Sequence, residues 1–135
     1  MSSLSLQDAL TVLERARTEA DRVGIPMSFA VVDAGGHLLA LQRMDGAPFI
    51  SADVAQGKAY TAAAYRRPSA AEAAKMRDLP VFSAAVVAMT GGRYTPQDGG
   101  LPITRGDEVL GGMGASGGTG QQDEEVVRHA LEALP

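Results

Sequence analysis

The segment Val31-Val-Asp-Ala-Gly-Gly-His-Leu-Leu-Ala-Leu-Gln-Arg-Met-Asp-Gly-Ala47 constrains this chain most, because two runs of alternating apolar residues meet at a Gly-Gly pair. Period-two alternation bounded by glycine specifies an antiparallel hairpin with distinct faces. In the first strand Phe29 and Val31 share one face while Ala30 and Val32 share the other. In the second, His37, Leu39, Leu41 and Arg43 oppose Leu38, Ala40, Gln42 and Met44. Asp33 and Asp45 then lie at opposite ends of the hairpin, and the polar turn that follows it is the expected place for a ligand.

Helices are expected before, between and after the strands. Leu6, Leu10, Leu13, Ala16, Ala20 and Val23 form one helical stripe, opened by Ser5-x-x-Asp8 and closed by Gly24 before Pro26. An alanine-rich helix spans about Ser51 to Arg66, with Tyr60 and Tyr65 at its flanks. Pro68-Ser69-Ala-Ala-Glu72 reads as a new start, with Ser69 as cap and Glu72 completing a capping box. Asp78-Leu-Pro80 restarts a helix that runs to Gly91-Gly92, followed by irregular chain at Tyr94-Thr-Pro96 and Asp98-Gly-Gly100. Leu101 to Thr104 and Glu108 to Gly114 form a second hairpin around Arg105-Gly106-Asp107. Thr119-x-x-Gln122 caps a last helix carrying Val127, Ala130, Leu131 and Leu134. Strands gathered in hairpins argue for an α+β fold with an antiparallel sheet rather than repeated βαβ units.

The length of 135 residues fits one domain, 1–135, with a core of its own. Absence of cysteine removes disulfides, thiolate metal sites and thiol catalysis, and is compatible with a cytoplasmic location. The first residues carry neither a basic region nor an apolar run, so no secretory signal is expected. The longest apolar stretch, Leu79 to Gly92, falls short of the ~20 residues a membrane span needs. A net charge of −4 with no basic cluster beyond Arg66-Arg67 argues against nucleic acid as a partner.

Few residues carry chemistry. Gly112-Met-Gly114-Ala-Ser-Gly117 matches a dinucleotide fingerprint in letters alone, because too little chain follows for a second strand or a ribose-binding acid. The glycines between Gly111 and Gly120 admit two readings: close packing of strand on helix, or backbone N–H groups offered to a carboxylate. Asp123, Glu124 and Glu125 would repel a highly charged anion there. Ser116 lacks the surroundings of a nucleophile elbow. His37 is either a solvated turn residue or an imidazole able to meet iron, whereas His129 reads as a surface residue. Met44, Met76, Met89 and Met113 either fill the core or line an apolar slot. Lys58, in a helix otherwise small and apolar, needs an opening or a carboxylate, with Asp33, Asp45 and Asp53 as candidates.

The hairpin wording, the Gln56-Gly-Lys-Ala59 helix, Arg67-Pro68-Ser69, Gly99-Gly-Leu-Pro-Ile103 and Gly114-Ala-Ser-Gly117 before Gln122-Asp123-Glu124 resemble, in the same order, the GlcG/HbpS haem-degrading family, which includes the C-terminal domain of PduO-type proteins. That resemblance implies a profilin-like or PAS-like antiparallel sheet of about five strands flanked by helices, assembly into a homo-oligomer, and a small-molecule ligand, with haem or another tetrapyrrole as its class and no other cofactor. On this reading one pocket gathers Asp33–Ala47, the Lys58 helix and the Gly111–Gly120 turn. His37 faces iron, Arg43 and Lys58 meet propionates, and Met44, Gly114, Ser116 and Gly117 complete the lining. Two rivals remain open: a cofactor-independent enzyme moving protons with Lys58, Asp33 and Asp45, and a non-catalytic oligomeric sensor or accessory subunit.

Overall fold

The computed structural model describes residues 3–135. Its elements are α1 (Leu6–Val23), β1 (Ser28–Asp33), β2 (Leu38–Arg43), α2 (Ile50–Tyr65), α3 (Ser69–Met76), α4 (Pro80–Met89), β3 (Gly100–Arg105), β4 (Glu108–Ser116) and α5 (Gly120–Leu131). All strand pairs are antiparallel, in the order β2-β1-β4-β3. The fold is thus α+β with a single sheet of four strands among the described residues, against an expectation of about five.

β1 is buried on both faces, and its alternation divides the interior as expected. Phe29 and Val31 join Val12, Leu13, Ala16, Met113 and Val127 beneath α1 and α5, while Ala30 and Val32 meet Ala55, Ala59 and Ala63 of α2. In β2 the expected alternation fails. Val31 pairs with Ala40 but Val32 pairs with Leu38, leaving Leu39 as the extra residue of a bulge. Leu39 and Ala40 therefore both pack towards α1 and α5, and Leu41 alone turns to α2.

α1 begins with the expected capping box: the Asp8 N–H donates to Ser5 Oγ at 3.0 Å, and the Ser5 N–H donates to Asp8 Oδ2 at 3.1 Å. It ends at Gly24, whose φ of +74° suits glycine. Its buried seam is Ala9, Val12, Leu13, Ala16 and Ala20, so the expected stripe is corrected in part: Leu6, Leu10 and Val23 are exposed. Leu10 lies on the flank of that seam, and the other two sit in the terminal turns.

The serine cap expected for α3 is absent. Ser69 is itself the first helical residue; its hydroxyl donates to the Gln97 carbonyl at 2.5 Å and accepts the Gly100 N–H at 2.8 Å. Glu72, fully buried, accepts hydrogen bonds from the Arg67 guanidinium and the Tyr94 hydroxyl rather than closing a box. Tertiary partners have taken both side chains away from the helix terminus. Burial and the neighbouring Glu72 raise the Tyr94 phenol above its usual range. The expected box of α5 does form, between Thr119 and Gln122.

The closest layer contact is α2 on β4. A Cβ placed on Gly112 would stand 2.3 Å from the Ala59 carbonyl oxygen, and one on Gly114 would stand 2.2 Å from that of Ala55. These two glycines lie inside a strand beneath a helix, so their role is to let two backbones touch. Gly114→Ala is accordingly expected to lower stability by about 3 kcal/mol or prevent folding, because both obstacles are backbone. Gly24→Ala, with nothing within 4 Å of the added carbon, should cost about 1–2 kcal/mol from its left-handed φ alone. Urea unfolding midpoints of the two variants check the order.

Candidate functional site

The residues expected to share one pocket occupy three places. Pairing of Asp33 with Gly111 and of Ser28 with Ser116 puts the Gly35-Gly36 turn at one end of the sheet and the start of α5 at the other. Lys58 reaches Ala115, four residues along β4 from Gly111, so Asp33 and Lys58 are separated by roughly 13 Å of strand.

The first place is the hairpin tip. Asp33 Oδ1 accepts the N–H groups of Gly35 at 2.9 Å and His37 at 3.0 Å, and lies 3.3 Å from His37 Nδ1. Partial burial raises the Asp33 carboxyl, but the two N–H bonds and the imidazole outweigh it and hold the group below the usual aspartate value. Gly36 turns at φ +83°, where the Tyr60 ring occupies the space a Cβ would need. The His37 side chain is 80% exposed and borders a shallow cleft of about 460 Å³ with Leu4, Leu39, Val109 and Leu110 on its apolar floor. Arg66 lines a separate cleft with Ala63 of α2, and the two clefts have Ala34, Glu108 and Val109 in common.

The second place holds Arg43, Met44 and Asp45, which border an open cleft of about 570 Å³ with Arg17 and Asp21. Six residues of strand separate Arg43 from His37, roughly 20 Å. Met44 turns inward, its sulfur accepting the Met27 N–H at 3.4 Å. The four methionines do not line one slot: Met113 is central core, Met76 belongs to a separate cluster with Val86 and Tyr94, and Met89 is exposed.

The third place surrounds Lys58. Its side chain is buried, and Nζ donates to the Ala115 carbonyl and to Asp123 Oδ2, each at 3.0 Å. The expected partners Asp33, Asp45 and Asp53 are thereby corrected to Asp123. Asp123 Oδ1 in turn accepts the Gly118 N–H at 2.8 Å. Burial raises the Asp123 carboxyl above its usual value, against the opposing pull of Lys58 and the glycine N–H groups. The pair borders a cavity of about 420 Å³ with Val54, Gln97, Asp98, Ser116, Gly118 and Gly120. Gly114 and Gly117 do not face it: Gly114 packs on α2, and Gly117 lies against the Pro26 carbonyl.

Sequence reasoning missed the pairing role of Asp123, read only as an acid that would repel a highly charged anion, and missed Gln97 and Asp98, the latter read as irregular chain. Their common signal was polar residues flanking the glycines at 99–100 and 117–120. His129 lies among Glu19, Glu125 and Glu132 on the surface, as expected. Among the described residues, no helix is long and apolar enough to cross a membrane, and no cluster of three or more His, Asp and Glu side chains could hold a metal ion.

A four-stranded antiparallel sheet with helices on both faces, clefts at its ends and a buried Lys–Asp pair defines the class: a small α+β domain with peripheral clefts. Residues 4–132 match the family model described as haem degrading protein HbpS-like, and the chain belongs to that family. Protein GlcG of Escherichia coli strain K12 is 37% identical over 113 residues, covering 84% of this chain and 81% of that protein. The solved structure of a double mutant of Streptomyces reticuli HbpS superposes with a TM-score of 0.88 at 29% identity, covering 100% of this chain and 89% of that one. A PduOC:heme complex superposes at 0.87 with 26% identity, covering 98% and 96%.

Breaking the Lys58–Asp123 pair from one side leaves a buried carboxylate without its cation, so Lys58→Met is expected to cost about 3–5 kcal/mol. Adding Asp123→Asn, which keeps an acceptor for the Gly118 N–H, should recover at least half of that loss. A double-mutant cycle of urea unfolding checks it; an effect of Asp123→Asn that is the same with and without Lys58 would show that the two charges do not depend on one another.

Proposed function

We propose that this chain binds a haem-type tetrapyrrole at the hairpin tip, with His37 as the iron ligand. The observation that carries this reading is the whole-chain likeness to a relative solved as a haem complex. The residues at the tip fit such a group. Asp33 faces Nδ1 and favours the tautomer with its proton there, leaving the Nε2 lone pair for a metal. Leu4, Leu39, Val109 and Leu110 offer an apolar floor, while Arg43 and Lys58 lie too far away to meet a propionate there. Haem, when bound, supplies an iron centre for axial ligation together with a broad apolar disc. The chain's own residues bind that disc, orient the imidazole and keep its tautomer.

Assembly is part of the same reading. Of the ten residues of α4 only Val86 is buried, while Val81 is 84% and Met89 77% exposed, with Leu79 and Phe82 beside them. Such an apolar helix face needs a cover, and a second copy of this chain provides one.

Titration with haemin is expected to give saturable Soret changes at one haem per chain, and His37→Ala should weaken binding by at least about tenfold. Absence of saturable binding removes haem as the ligand, and undiminished binding by the variant removes His37 as its holder. Sedimentation at micromolar concentration should show a dimer or larger species that the double variant Val81→Asp, Met89→Asp dissociates; a wild-type protein sedimenting at 14.0 kDa refutes assembly.

A further inference from the structure

The cavity beside Lys58 has hydrogen-bonding capacity that the fold does not use. An ammonium group carries three protons, and two are taken by Ala115 and Asp123. Ser116, Gln97 and Asp98 border the same cavity, and among the described residues their side chains make no hydrogen bond to the protein. Gly99 fixes the spacing. A Cβ there would stand 2.8 Å from Lys58 Nζ, so the chain passes directly beneath the ammonium and carries Asp98 to the adjacent rim. On the far side a Cβ on Gly120 would stand 3.4 Å from Asp98 Oδ2, which places that carboxylate at the first residue of α5.

Charge selects the ligand. Lys58 and Asp123 neutralise one another, so the net charge at the rim is that of Asp98. A dianion such as phosphate would meet Asp98 and Asp123 together. A zwitterion satisfies every free group: its carboxylate takes the remaining Lys58 proton and the Ser116 hydroxyl, and its ammonium meets Asp98 with the Gln97 side-chain oxygen beside it. The volume of about 420 Å³ lies at the small end of ligand clefts, and Val54 is its only large apolar lining residue. We infer that the Lys58–Asp123 cavity is a binding site for a small zwitterion of the α-amino-acid type, separate from the hairpin tip.

The test is a ¹H–¹⁵N titration of the full chain with serine and alanine, alongside propionate, which lacks the ammonium, and propylamine, which lacks the carboxylate. Serine or alanine is expected to shift the amides of Gly117, Gly118 and Gly120 saturably, with a Kd below about 10 mM, and each control should bind at least about tenfold more weakly. Ser116→Ala and Asp98→Asn, both at the rim, should each weaken binding by about tenfold while leaving the remaining spectrum and the unfolding midpoint unchanged. His37→Ala should have no effect, which separates this site from the haem reading. No saturable shift by either amino acid, shifts centred elsewhere, equal binding of a control, or indifference to both rim variants overturns the inference.

Discussion

The approach of α2 to β4 at backbone distance is the constraint on which the rest of the structure depends. Alanines 55, 59 and 63 on the helix and glycines 112 and 114 on the strand leave no side chain thicker than a methyl group between them. The depth at which α2 sits decides where Lys58 ends. With the helix axis close to the sheet, the side chain cannot lie between the layers and runs instead to the end of β4, where the last strand carbonyls and the α5 entry supply its acceptors. A bulkier residue at either glycine would lift the helix, and the ammonium would lose the Ala115 carbonyl and Asp123 together.

The Lys58–Asp123 pair ties three elements across 65 positions of sequence: α2 through the lysine, β4 through its Ala115 acceptor, and α5 through the aspartate. Removing both charges from water is costly, and the geometry offsets this by giving each carboxylate oxygen a donor, Nζ on one and the Gly118 N–H on the other. Hydrophobic burial on the opposite face follows a different economy. There Phe29, Leu13 and Met113 are fully buried, and each such side chain contributes about 1.5–3 kcal/mol without any demand on direction. The sheet thus separates a core held by area from a face held by close backbone contact and directed polar bonds.

The same division explains which features the sequence made legible. Alternation in β1 and the Ser5–Asp8 and Thr119–Gln122 boxes depend on residues within a few positions of each other, and all three form. Ser69 and Glu72 present the same local pattern as Ser5 and Asp8, but Gln97, Gly100 and Tyr94, brought close only by the fold, claim them first. The bulge at Leu39 has no turn residue to announce it, and it puts Leu39 on the same side of the strand as Ala40. Lys58 was recognisable as a cation needing a partner. Its partner was not, because Asp123 also reads as an ordinary acid in the first turn of a helix. His37, Arg43 and Lys58 were separable only by strand geometry: the hairpin places its turn and its open end at opposite ends of the sheet.

A chain with three phenylalanines, three tyrosines and no tryptophan has little bulk to hold layers apart, and the α2 face of its sheet closes on alanine and glycine. Layers in such contact leave no room for an internal ligand chamber. The clefts accordingly lie at the sheet ends and beside loops, where each is walled on one side and open on the other. A small polar molecule can be surrounded in such a corner, since a few directed hydrogen bonds suffice to hold it. A flat macrocycle cannot, because an open shelf covers only one of its faces and leaves the other in water. For a ligand of that shape, a thin domain gains enclosure only by setting another chain against the shelf. The unfilled apolar surface of α4 is the kind of feature that makes such an assembly favourable. Thin layers and peripheral clefts are therefore linked consequences of one packing choice, the close seating of α2 on β4.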